Sequence, residues 1–439
     1  MHKEENFNQC ALTINGYKSK VKKIYELPGD KSVGHRSLLI GALPKGKYKI
    51  RNFPRSKDCL TTLKIMKNLG VEVKEFKNYI LVDSPGYKDF KKEIEYIDCG
   101  NSGTTSRLIA GILAGIGVKT KLIGDKSLSL RPMKRIVEPL NYMGANIEME
   151  KDHMPLIFKG NEKLKSIDYT MKIASAQVKS CILLAGFLSE GVTKVRELTL
   201  TRDHTERMIK YIEGNIEIEN KTIQIENSEI KSKDIYVPGD ISSAAYIIAC
   251  AILGENYEIT LDNILLNENR RKYLDLLKKM GANLKYFEQD EYNGEHVGSI
   301  IVKSSKLNGI RIGKEITPYI IDEIPILALI AAFSEGRTVF ENVEELKYKE
   351  SNRIKAIIVN LKSIGVKVEL IENNLIIYGG TFKINKEVNI KTFNDHRIAL
   401  TFLCSAMRNI KKTHIDNWDC VDISFPNSLN YFKDFFRIN

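Results

Sequence analysis

The sequence predicts an α/β protein of two similar domains, each built from three repeats of strand, buried helix, strand, amphipathic helix and strand. Three observations predict it. Six short segments each open on a small polar or acidic residue and continue as a run that is apolar on all sides. A second element, a helical pattern closed by glycine and followed by alternation, recurs out of phase with the first. One N-terminal motif returns three repeats later in nearly the same form.

The six segments begin at Asp30, Ser102, Ser175, Asp240, Asp322 and Asp395, spaced by 72, 73, 65, 82 and 73 residues. A helix apolar all round must be buried, and regular recurrence of such a unit sets the architecture. The second element appears at Leu69-Gly70-Val71, Met143-Gly144-Ala145, Met280-Gly281-Ala282 and Ile364-Gly365-Val366, with a weaker copy at Glu213-Gly214. Glycine suits a helix C-terminus because it tolerates positive φ, and the alternation that follows is a strand signal. Finally, Leu27-Pro28-Gly29-Asp30-Lys31-Ser32 returns as Val237-Pro238-Gly239-Asp240-Ile241-Ser242, 210 residues on. The domains expected are therefore 30–237, inserted between 1–29 and 238–439. The C-terminal half shows no strand pattern after Phe435, and Leu12 to Glu26 is expected to supply one.

Composition narrows the class. A chain of 439 residues that is 43% hydrophobic and 28% charged reads as globular. The polar start Met1–Asn6 is not a secretory signal. Its apolar runs fall short of the ~20 residues that cross a bilayer. Seven scattered cysteines, at positions without metal-ligand spacing, predict a reduced cytoplasmic chain. The histidines show no zinc pattern. Net charge is +12, but lysines alternate with glutamates, with no basic block interleaved with aromatics. A solvated lysine-rich surface explains this better than nucleic-acid binding, with a contribution from cations around an anionic substrate.

The polar end of each buried helix is its N-terminus, where unpaired N–H groups and the helix dipole favour anions. A bare Asp or Ser there is an ordinary cap. The signal comes from the neighbours: Lys31 and Arg36, Arg107, Lys179, and His396-Arg397. Arg131, Arg202 and Arg353 stand at the starts of the amphipathic helices. Each runs against the dipole there by about 0.3–1 kcal/mol, a cost that a bound anion relieves. Gly103, in Asn101-Ser102-Gly103-Thr104-Thr105-Ser106-Arg107, lets a ligand or another helix approach closely. No Walker spacing follows. The residues thus describe a site for small phosphorylated anions.

Seven motifs carry a resemblance: LPGDKSVGHR (27–36), GNSGTTSRL (100–108), LRPM (130–133), SAQVKS (175–180), TRDHTER (201–207), KESNR (349–353) and NDHR (394–397). In order and spacing the chain resembles the 3-phosphoshikimate 1-carboxyvinyltransferases of the enolpyruvyl transferase family, from Leu27 to Pro426. The resemblance implies six βαβαββ units in two domains that close like a clamp, an inverse α/β barrel with buried parallel helices. It implies transfer of the enolpyruvyl group of phosphoenolpyruvate to the 5-hydroxyl of shikimate 3-phosphate. It implies no metal or organic cofactor, no nucleic-acid or membrane partner, and a monomer. It also implies roles. Lys31, Ser32, Arg36, Ser175, Gln177, Arg202, Asp322 and Lys349 bind shikimate 3-phosphate. Lys31, Gly103, Arg131, Gln177, Arg353, His396 and Arg397 face phosphoenolpyruvate. Asp322 is the base, and Glu350 or Lys31 handles the second proton. Gly103 stands where the family inhibitor glyphosate packs.

Three positions depart from the family pattern. Ala176 replaces a second serine found in some members. Asn352 replaces an aspartate, which is expected to loosen a salt bridge to Arg353. Ile423 replaces a lysine that contacts phosphoenolpyruvate. The nearest alternative, UDP-N-acetylglucosamine enolpyruvyl transferase, carries a loop cysteine absent from Gly124–Ser129 and Lys-Asn in place of Lys31-Ser32. A basic RNA-binding or RNA-end-processing protein is the alternative of another class, and it predicts steeply salt-dependent RNA binding.

Overall fold

The computed structural model describes residues 10–438; the reading of Met1–Asn6 lies outside them. The chain divides into two compact units. One holds the chain up to Leu27, Asp240–Gln289 and Gly298 onward; the other holds Pro28–Gly239 and Asp290–Val297.

Each unit encloses three of the six apolar helices. Lys31–Leu39, Gly103–Ile116 and Ala176–Phe187 lie in the Pro28–Gly239 unit. Ile241–Leu253, Ile324–Ala332 and His396–Leu403 lie in the other. Every residue of Ile241–Leu253 and of Ile324–Ala332 is buried, as sequences without a polar face require. Each enclosed leucine or isoleucine contributes about 1.5–3 kcal/mol. Close packing needs small residues: a Cβ on Gly111 would stand 2.2 Å from the Cys181 carbonyl oxygen of the neighbouring helix.

The described strands form six four-stranded sheets. Glu93–Asp98 runs parallel to Lys119–Ile123, which pairs antiparallel with His153–Lys159, which pairs antiparallel with Ile147–Glu150. The order follows from the repeat. Parallel neighbours need a crossover, here the buried helix Gly103–Ile116, whereas antiparallel neighbours need only a turn.

Three repeats borrow strands from distant sequence. Ile235–Tyr236 takes the first place in the sheet of Gly46–Arg51. In the other unit, Val21–Glu26 runs parallel to Tyr257–Leu265, and Leu12–Tyr17 pairs with Thr413–Ile415. One expectation fails: Phe436–Ile438 forms a strand against Leu12–Tyr17 despite its lack of a strand pattern. Three residues are too few to show alternation.

The helix-closing glycines behave as their sequence requires at four sites. Gly70, Gly144, Gly281 and Gly365 have φ of 104, 98, 104 and 91°. In the weaker copy the positive φ (68°) falls on Glu213 instead, at about 1–2 kcal/mol. Gly214 serves packing there, since a Cβ would meet Ile209 Cγ2 at 2.7 Å.

The tip of the hairpin formed by Leu284–Tyr292 and Glu295–Lys303 belongs to the Pro28–Gly239 unit. His204 Nδ1 lies 2.6 Å from Glu295 Oε1, and Arg207 Nη1 donates to the Gly294 carbonyl at 2.6 Å. The Asn293 amide exchanges hydrogen bonds with the Tyr236 backbone.

Candidate active site

The residues singled out by sequence fall into two clusters, one in each unit. In the Pro28–Gly239 unit, Asp30 caps Lys31–Leu39 by accepting from the Val33 amide. That cap places Lys31 at the first helical position, where its ammonium lies 3.0 Å from Asp58 Oδ2 with 17% of the side chain exposed. Ser32 follows, half-buried. Arg36, one turn on, is buried among helices: its Nε donates to Thr205 Oγ1 at 2.8 Å, Nη1 to the Ser32 carbonyl at 3.1 Å and Nη2 to Ser180 Oγ at 2.9 Å.

Ser102 and Ser175 cap the next two buried helices, accepting from the amides of Thr105 and Val178. A second cationic group gathers at these ends. Arg107 Nη1 donates to Gln177 Oε1 at 2.8 Å, and Gln177 Nε2 donates to Thr104 Oγ1 at 3.0 Å. Arg131 Nη2 donates to Asn101 Oδ1 at 2.9 Å. Gly103 lies between the two arginines: a Cβ there would stand 2.8 Å from Arg107 Nη1 and 2.9 Å from Arg131 Nη1. Arg202 is half-buried, one residue after the buried Thr201.

Lys179 is the exception. It does not turn toward these cations but is buried against Glu197 and Glu206. His35 shares the interior of this cluster, its Nδ1 at 2.7 Å from Thr62 Oγ1. Burial, with Lys31 and Arg36 nearby, pushes its pKa well below the usual histidine value, so it adds no positive charge.

In the other unit, Asp395 caps His396–Leu403 through the Arg397 amide, which puts buried His396 and Arg397 at the helix start. The same carboxylate receives Arg353 on both oxygens, from Nε at 2.8 Å and from Nη2 at 3.2 Å. Arg353 also meets Glu350 Oε2 at 2.5 Å and Asp322 Oδ1 at 3.4 Å. Its side chain is 1% exposed. Burial opposes its charge, but Asp395 and Glu350 more than offset that, and the guanidinium's pKa is raised. Arg397 Nη1 donates to the Asp322 carbonyl oxygen at 2.9 Å.

Asp322 departs from the pattern of the other segment starts. Asp30, Ser102, Ser175, Asp240 and Asp395 all cap their helices through their side chains. Helix Ile324–Ala332 begins after Glu323, has no side-chain cap and carries Pro325 in its first turn. The Asp322 carboxylate instead receives Lys349 Nζ at 3.0 Å as well as Arg353.

Asn352 corrects an expectation. Its side chain caps helix Arg353–Ser363 by accepting from the Lys355 amide, while Asp395, Glu350 and Asp322 carry the contacts of Arg353. The aspartate-to-asparagine change therefore leaves these contacts in place, because asparagine caps a helix as well as aspartate does. Ile423 closes the short turn Asp419–Ile423. Sequence reading missed Asp58, the partner of Lys31, and marked Asn101 only as part of its turn, not as the partner of Arg131. An acidic residue in a helix's first turn was the only local sign of Asp58. Among the described residues no His/Cys/Asp/Glu group could hold a metal ion.

The family model of EPSP synthase (3-phosphoshikimate 1-carboxyvinyltransferase) matches residues 16–432. A 3-phosphoshikimate 1-carboxyvinyltransferase of Clostridium tetani (strain Massachusetts / E88) is 84% identical over the whole of both chains. The solved EPSP synthase of Acinetobacter baumannii is 35% identical, with a TM-score of 0.87 over 98% of this chain and 99% of that one. The enolpyruvyl transferase NikO from Streptomyces tendae shares the fold at 14% identity, with a TM-score of 0.76 over 98% and 99% of the two chains. This chain belongs to the EPSP synthase family.

Proposed function

We infer that the chain transfers the enolpyruvyl group of phosphoenolpyruvate to the 5-hydroxyl of shikimate 3-phosphate and releases phosphate, a step toward chorismate and the aromatic amino acids. Family membership carries the reaction, and the two clusters support the roles of individual residues. Two phosphorylated, carboxylated substrates need many cations and amide donors, and each charge-assisted bond contributes about 1.5–3 kcal/mol.

The observation that most favours a catalytic role is the orientation of Asp322. The carboxylate stands at the head of an apolar helix without capping it and receives Lys349 and Arg353, two of the cations assigned to the substrates. Asp322 takes the proton of the 5-hydroxyl as its oxygen bonds to C2 of phosphoenolpyruvate. Lys31 and Glu350 are the two groups able to deliver a proton to C3, giving a methyl group on a tetrahedral intermediate. Loss of a methyl proton with departure of phosphate then restores the double bond. A positioned acid or base contributes about 10²–10⁴ in rate.

Lys31, Ser32, Arg36, Ser175, Gln177, Arg202, Asp322 and Lys349 take shikimate 3-phosphate. Lys31, Gly103, Arg131, Gln177, Arg353, His396 and Arg397 take phosphoenolpyruvate. The chain is taken to work as a monomer. The seven unbridged cysteines support work in the reducing cytoplasm. No described helix is long and apolar enough to cross a membrane.

Phosphate release tests the reading. The protein should liberate phosphate only when both substrates are present; release with a UDP-sugar instead, or none, would overturn it. Gly103→Ala tests the phosphoenolpyruvate assignment. The added methyl must push aside the Arg107 and Arg131 guanidinium groups, so the KM for phosphoenolpyruvate should rise about ten-fold, with the KM for shikimate 3-phosphate little changed. Steady-state titration of each substrate checks it.

A further inference from the structure

Lys179 Nζ lies 3.0 Å from Glu197 Oε2 and 2.6 Å from Glu206 Oε1, with all three side chains 1–2% exposed. Burial pushes the Lys179 ammonium down, and the two carboxylates push it further up, so it stays charged. Even so, a buried ion pair adds little net stability once desolvation of all its members is counted, and apolar replacements are often as stable or more so. Packing alone therefore does not account for it.

Its geometry ties down one segment at two points. Glu197 follows strand Thr193–Arg196, and Glu206 sits in the first turn of helix His204–Tyr211. Between them, Glu197 Oε1 accepts from the Thr201 amide at 2.9 Å and from Thr201 Oγ1 at 2.6 Å. Arg202 is the next residue. Beside Glu206, Thr205 Oγ1 donates to Ser180 Oγ at 2.7 Å and accepts from Arg36 Nε. One ammonium on helix Ala176–Phe187 thus fixes the stretch that carries Arg202 and braces Arg36.

We propose that Lys179, Glu197 and Thr201 are positioning residues for shikimate 3-phosphate, holding segment 197–206 so that Arg202 is preset before the substrate arrives. The proposal rests on the assignment of Arg202 to that substrate. Preorganisation lowers the ordering cost of binding.

Thr201→Val removes one hydroxyl and leaves the buried charges paired. The dissociation constant for shikimate 3-phosphate, read by calorimetry, should rise about ten-fold, as for loss of one bond to a charged group. The KM for phosphoenolpyruvate should stay within about two-fold, a split that general destabilisation would not give. Thr201→Ser, which keeps the hydroxyl, should restore binding. Unchanged affinity in the valine variant, an equal loss for both substrates, or no rescue by serine would overturn the proposal. Lack of turnover in the unmodified protein would instead overturn the enolpyruvyl-transfer reading, and calorimetry would still read the Thr201 series. Unmodified protein that binds no shikimate 3-phosphate would overturn both.

Discussion

Lys31→Met should reduce turnover by about 10³-fold or more while the protein still folds. Lys31 joins three properties: it opens a buried helix whose N-terminal dipole favours anions, it carries a charge, and it is partly open to solvent. Methionine keeps the stem and removes the charge, losing electrostatic stabilisation, worth about 10²–10³, and one of the two candidate proton donors, a role worth about 10²–10⁴. Asp58 loses its ammonium partner, at a cost of about 1.5–3 kcal/mol. Its own position in the first turn of helix Lys57–Asn68 places it near a favourable helix dipole, which limits the damage. Turnover and thermal melting measured on the same preparation separate the two effects. A folded variant that kept a tenth of the activity would move the active centre elsewhere.

Arg353→Met should be the most destabilising single change in the candidate site, by about 3–5 kcal/mol. The substitution strips both Arg353 hydrogen bonds from the fully buried Asp395, leaving those from the Arg397 amide and the Ser351 hydroxyl. Burial alone would raise the pKa of Asp395; Arg353 outweighs it and holds the carboxylate below its ordinary value. The sign of the pH dependence follows. A carboxylate whose folded pKa is depressed adds stability above its unfolded pKa and loses it as pH falls through the folded value. Without Arg353, burial dominates, the folded pKa rises above the unfolded one, and acidification favours the folded variant. The gap between parent and variant should therefore narrow as pH falls from 7 toward 5. Urea unfolding at several pH values checks this, and a gap independent of pH would show that Asp395 is not the group left exposed to the loss. Phosphoenolpyruvate binding should be lost at every pH.

The helix starts were legible because capping is local. Asp30, Ser102, Ser175, Asp240 and Asp395 each bond to an amide two or three residues ahead, and that offset is written in the sequence. Asp322 shares their pattern but not their role. Its partners Lys349 and Arg353 lie 27 and 31 residues away, beyond the reach of any local rule. Lys179 was misread for a related reason. It stands beside a helix start like its cationic neighbours, but Glu197 and Glu206 on other elements turn it inward.

The sequence by itself determined the repeat, the six buried helices and the motifs that mark the family, because each depends on apolar periodicity or on residues close along the chain. Tertiary structure alone decided that Ile235–Tyr236 joins the sheet of Gly46–Arg51, where the hairpin tip belongs, and which of the marked cations keep company with carboxylates. Those outcomes depend on backbone pairing and on charges brought together from distant positions, and a chain read in order carries no sign of either.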